Sequence, residues 1–139
     1  MIKPTLLALA EYASAGQSEK LSIMGIFDII FSEEFPAKHH QMYLVSRLLA
    51  TEDEIGKSHN IKIKLVSKDT GEELVDVQAT VSFEKELEYG DFLAINNIIV
   101  VRNVVFNQEG VYRFEIYVDD ELKGMTPLYV GQRKSYGDG

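Results

Sequence analysis

The residues able to do chemistry are few. The only histidines are the adjacent pair His39-His40 and the distant His59, and Glu33 and Glu34 lie a few positions before the pair. Imidazole and carboxylate together suit a divalent metal, but a site needs three or four ligands converging on one point. On an extended chain two adjacent side chains point to opposite sides, so His39 and His40 cannot both face one ion. We read the pair as part of a solvated loop. The sequence contains no cysteine, which removes thiolate metal sites, a cysteine nucleophile and any disulfide framework at once. Three acidic clusters remain: Glu33-Glu34, Glu52-Asp53-Glu54 and Asp119-Asp120-Glu121. Loop carboxylates can hold calcium, but none of these follows a regular D-x-D pattern, and soluble proteins commonly carry acidic turns.

No nucleophile elbow, phosphate loop or dinucleotide-binding glycine motif occurs, and nothing in the spacing pairs a serine with a histidine. The expectation is a non-enzyme with no catalytic, cofactor or metal residues. The formal net charge of −8, with the basic residues scattered, argues against a phosphate backbone as ligand. No run approaches the roughly 20 apolar residues of a membrane helix. The apolar stretch from Leu6 to Ala10 is too short for a secretion signal, so the expected location is the cytoplasm.

The elements that would carry these residues show a period of two. Val75, Val77, Ala79, Val81 and Phe83 alternate with Asp76, Gln78, Thr80 and Ser82; Tyr112, Phe114, Ile116 and Val118 alternate with Arg113, Glu115 and Tyr117; Ile61, Ile63 and Leu65 alternate with Lys62 and Lys64. Only a strand puts alternate side chains on opposite faces, and three such runs predict antiparallel sheet with one wet face. Further strands are expected over 5–13, 21–31, 42–49, 92–101 and 122–130, giving eight. Residues 32–40 are expected as a loop, and Val104, Val105 and Phe106 as a core plug. Pro127 predicts an edge position or a bulge in the last strand. Asp69-Thr70-Gly71 should close a hairpin with Gly71 at positive φ.

Residues 1–130 read as one domain, an all-β two-layer antiparallel sandwich of immunoglobulin-like kind, and 131–139 as a flexible polar tail. Gly110-Val111-Tyr112 at the entry of a late strand resembles the tyrosine corner of immunoglobulin-like domains, where the phenol bonds back to the upstream chain. In the strand from Met42, one face carries Met42, Leu44 and Leu48 and the other Tyr43, Val45 and Leu49. A strand apolar on both sides needs a cover on each: a second layer, another subunit or a partner.

Several stretches together resemble an uncharacterised bacterial family of short β-sandwich proteins. They are Leu6 to Ala13, Leu21 to Asp28 with its Gly25-Ile26-Phe27-Asp28 segment, Phe35-Pro36-Ala37 with Met42 to Leu48, Gly110 to Asp119, and Pro127 to Val130. The resemblance implies the fold and transfers no activity. The resulting expectation is a protein-binding or assembly module, self-association included. The alternative is a small-ligand or metal-binding sandwich using loop carboxylates with His39 or His40.

Overall fold

The computed structural model describes residues 2–16, 20–83 and 92–133. Among the described residues nine strands run in chain order: β1 (Ile2–Ala15), β2 (Leu21–Ile26), β3 (Ile29–Ser32), β4 (Ala37–Thr51), β5 (Ser58–Ser67), β6 (Glu73–Ser82), β7 (Phe92–Phe106), β8 (Gly110–Val118) and β9 (Glu121–Gln132). One 3-10 turn, Glu52–Glu54, joins β4 to β5. The chain is all-β: β2-β1-β4-β7 form one sheet and β3-β9-β8-β5-β6 a second, which curls into a half-barrel.

The period-two runs become strands because each can turn its apolar set toward one core. That core draws Leu9, Met42, Leu44 and Leu48 from the first sheet and Ile63, Leu65, Phe114, Ile116 and Leu128 from the second. All nine are at most 1% exposed. The stretch 5–13, with helix-favouring Leu and Ala, is a strand paired on both sides, with β2 and with β4. Tertiary pairing outweighs the tenths of a kcal/mol per residue that propensity offers. Pro4, inside β1, sits at a bulge where the register to β4 shifts.

Five expectations change. The run 21–31 splits in two: Gly25 has φ +68°, and residues 27 and 28 carry the chain from one sheet to the other. The Phe27 amide donates to Leu9 O and the Tyr129 amide to Asp28 O, so this crossing is tied to β1 and β9. The sheets are not wholly antiparallel, because β3 runs parallel to β9, Ile29 beside Tyr129 through Ser32 beside Gln132. The same pairing carries β9 past Val130 to Gln132; residues 134–139 of the expected tail lie outside the described residues. The expected loop 32–40 is shorter, since β4 begins at Ala37 and pairs with β7 from its first residue. The Val104-Val105-Phe106 plug is the end of β7: Val104 and Phe106 enter the core while Val105 is exposed.

Pro127 lies within β9 between β8 and β3, but β3 pairs only from Tyr129 onward. At Pro127 the strand is therefore locally an edge, and no ladder hydrogen bond is lost. Residues 75–83 alternate as expected, yet Val77 and Ala79 are exposed although Ile63 and Ile61 beside them are buried. β6 is the outer strand of the curled sheet, where core cover ends; Glu84, the expected end of this run, lies outside the described residues.

Candidate interaction face

On β4 the expected division holds in part. Met42, Leu44, Leu48 and Ala50 enter the core, and Tyr43 and Leu49 are half-buried on the other face, but Val45, expected beside them, is fully buried. Strand register assembles the outer face. Ile26, Ala10, Tyr43 and Val100 lie in one row across four strands, with Ala8, Val45 and Ile98 in the next and Met24 beside Tyr12. Met24 and Ile26 are each 65% exposed, Tyr12 48% and Val100 36%. The Tyr12 and Tyr43 rings meet edge to face at 5.4 Å, a geometry that aligns a ring edge with a π face. Gln41 Nε2 donates to Tyr43 Oη at 3.0 Å, and Arg102 Nε donates to Gln41 Oε1 at 3.2 Å. The Tyr43 phenol is thus held by its neighbours, which lowers the ordering cost of binding.

The histidines are placed differently from the sequence reading. His39 and His40 are on β4 rather than a loop, and they do diverge. His39 packs against Phe27, ring centroids 6.0 Å apart, while His40 is exposed. Burial holds the His39 imidazole below its usual pKa, the backbone at Gln41 counteracts this, and the neighbouring His40 adds to the lowering. Glu33 and Glu34 are exposed and do not join them. Among the described residues no three histidine or acidic side chains converge as a metal site.

His59, which spacing alone did not connect to anything, lies between two of the acidic clusters. Its side chain is 9% exposed; Nδ1 is 2.6 Å from Asp119 Oδ2, and Nε2 is 2.8 Å from Glu54 Oε2. The second contact lies off the N–H direction, so it is a close approach rather than a directed hydrogen bond. The Phe83 ring packs against the imidazole in a T-shaped contact, centroids 5.7 Å apart. Asp119 and Asp120 form the two-residue turn between β8 and β9, at φ +49° and +67°, where asparagine or glycine is more usual. The Asp119 carboxylate offsets that strain: it binds His59 and accepts the Asn60 amide at 2.9 Å. The His59 bond, then the Asn60 amide, hold its pKa below the usual carboxylate value. Through its Nδ1 bond to Asp119 and the approach of its Nε2 to Glu54, His59 links the turn to the 3-10 segment.

On the outer face of the curled sheet, Glu115 is 5% exposed. It accepts the Tyr117 phenol at 2.9 Å and lies 2.9 Å from Arg113 Nε. A cleft of about 180 Å³ lies where β1 and β9 approach without pairing, lined by Leu7, Leu9, Ile26, Phe27, Thr126 and Pro127 among others. No helix of the described residues is long and apolar enough to cross a membrane.

Residues 5–131 match a family of unknown function, DUF6941. No curated protein matches the sequence. Among solved structures, the chain is similar to the Pseudomonas fluorescens alkylpurine DNA glycosylase AlkC bound to DNA containing an abasic site analog. The identity is 12% and the TM-score 0.49, over 94% of this chain and 30% of that one. The chain therefore spans less than a third of that protein's length.

Proposed function

We propose that this protein, which belongs to the family of unknown function DUF6941, is a non-catalytic protein-docking module built on an immunoglobulin-like sandwich. The observation that carries the docking reading is the outer face of the four-stranded sheet. There Met24, Ile26, Tyr12 and Val100 stand exposed in register around the ordered Tyr43. Isolated surface hydrophobes are ordinary, but a contiguous apolar patch on a regular sheet marks a surface that is covered in use. Tyrosines with restrained rings suit such contacts. The net charge of −8 favours a protein over a phosphate backbone as partner.

The immunoglobulin-like reading draws support from three features. The Tyr112 phenol donates to Gln108 O at 2.8 Å, bracketing the passage from β7 in one sheet to β8 in the other. A single core cluster is shared by the two sheets. The short β3, continuing a segment that began in the other sheet, pairs parallel with the last strand.

The test is co-purification from the native host of the wild type, V100E, and V77E as a control on the other sheet. We expect one specific partner with the wild type and V77E and its loss with V100E. A partner retained by V100E, or turnover of a small molecule by the purified protein, refutes the reading.

A further inference from the structure

The crossing between the sheets leaves a space beneath it. β2 pairs with β1 only over residues 10–15, and β3 pairs with β9 only from Tyr129 onward. Residues 27 and 28 join these two pairings through the bonds to Leu9 O and from the Tyr129 amide. Beyond them, among the described residues, no strand lies between β1 and β9. The two strands meet there through side chains: a methyl built at Gly124 would stand 3.3 Å from Pro4 Cγ and 3.7 Å from Leu7 Cδ2. Between this contact and the crossing lies the cleft of about 180 Å³. A cavity of about 150 Å³ holds a benzene-sized group, so the cleft has room for a chain of about four carbons and a small head group.

Its walls are apolar, formed by Leu7, Leu9, Ile26, Phe27 and Pro127. The polar groups on the side of the crossing and β9 are rich in acceptors. Asp28 is exposed at the rim, and its carboxylate has no ion-pair or hydrogen-bond partner among the described residues. Thr126 stands opposite the core residue Phe114, is half-buried, and has a hydroxyl equally without a partner. The Tyr129 amide points at the crossing, so the main chain of Pro127, two positions earlier, points the same way, and proline brings a carbonyl there without an N–H. An apolar slot ending in carboxylate, hydroxyl and carbonyl oxygens fits a ligand with an aliphatic body and a cationic donor head. An ammonium has three donors and no acceptor. An anion would meet Asp28 and a chain of net charge −8. We propose that this cleft binds an alkylammonium group, its chain against Leu7, Leu9 and Phe27 and its nitrogen at Asp28 and Thr126. A free amine and a lysine side chain present the same group. The cleft shares only Ile26 with the docking face and stands independently of that reading.

The test is an NMR titration of the full, isotopically labelled chain with n-butylammonium, and separately with n-butanol and butyrate as neutral and anionic analogues. The amides of Leu7, Leu9, Phe27, Asp28 and Thr126 should shift saturably with n-butylammonium, with Kd on the order of millimolar for so small a ligand. Butanol should bind more weakly and butyrate not at all. Asp28 is exposed, so D28N should weaken n-butylammonium about fivefold, and T126V about threefold. Circular dichroism checks that both variants keep their strand content, and the comparison of the three analogues needs only the wild type. Nα-acetyl-lysine amide separates the sources. Binding equal to n-butylammonium identifies a lysine side chain, and binding of n-butylammonium alone identifies a free amine. No saturable shift at these amides, butanol binding as tightly as n-butylammonium, or a folded D28N that binds like the wild type overturns the proposal. Any of these leaves the docking reading standing.

Discussion

Replacing Tyr112 by phenylalanine removes one hydroxyl and almost nothing else. The ring is 4% exposed and packs edge to face on Phe106 at 4.9 Å, contacts that Phe keeps. The hydroxyl donates to Gln108 O at 2.8 Å, and Gln108 is exposed, so the abandoned carbonyl can take water instead. The loss should therefore be near that of a single neutral hydrogen bond, about 1 kcal/mol, without the further penalty of a buried orphan acceptor. For a chain of this size that lowers Tm by roughly 3–5 °C. Urea unfolding should show a lower midpoint at unchanged m. The pH dependence isolates the hydroxyl. Burial, and then the Glu72 and Asp69 carboxylates, raise the phenol pKa. A raised folded value means the stabilisation is complete below the unfolded value of about 10 and fades as pH climbs through the folded one. The gap between wild type and Y112F should thus be constant at neutral pH and narrow in alkali. Tyr117, also raised, chiefly by its bond to Glu115, is present in both proteins and cancels. A variant as stable as the wild type at pH 7, or a gap that widens in alkali, refutes the bracket.

Two further outcomes follow from local geometry. Gly71 has φ +77°, and nothing lies within 4 Å of the point where an alanine methyl would stand. G71A therefore meets only backbone strain and should lose about 1–2 kcal/mol in chemical denaturation. Asp119 titrates below the ordinary carboxylate value, so its contribution is present above about pH 4 and is lost as pH falls through the folded value. Its side chain is 53% exposed, and screening keeps the contribution below about 1 kcal/mol. D119N should accordingly be less stable than the wild type at pH 7, with the difference shrinking in acid denaturation series.

How much was legible in the sequence depended on how local the cause was. Alternation at Tyr112 to Val118 and Ile61 to Leu65 specified strands and their inward faces, because a period of two is a property of the backbone itself. Gly71, the Tyr112 bracket and the two-sided β4 were readable for the same reason: each needs only a few neighbouring residues. Leu21 to Phe31 was read as one strand because its composition is uniform, and only the crossing between Leu9 O and Tyr129 N divides it.

The long-range partners were decided in three dimensions. His59 is 60 positions from Asp119, and no spacing rule connects them; the register of β5 against β8 and the turn beyond brings them to 2.6 Å. Val77 alternates as a core residue should, yet the curl of its sheet leaves it outside the covered area. The outer face of β4 was foreseen as apolar, but its rows, Ile26 to Val100 across four strands, exist only once the register is set. Sequence determines which way each side chain points along its own strand. Which strand lies beside it, and whether anything covers it, is settled by packing the whole chain around one core.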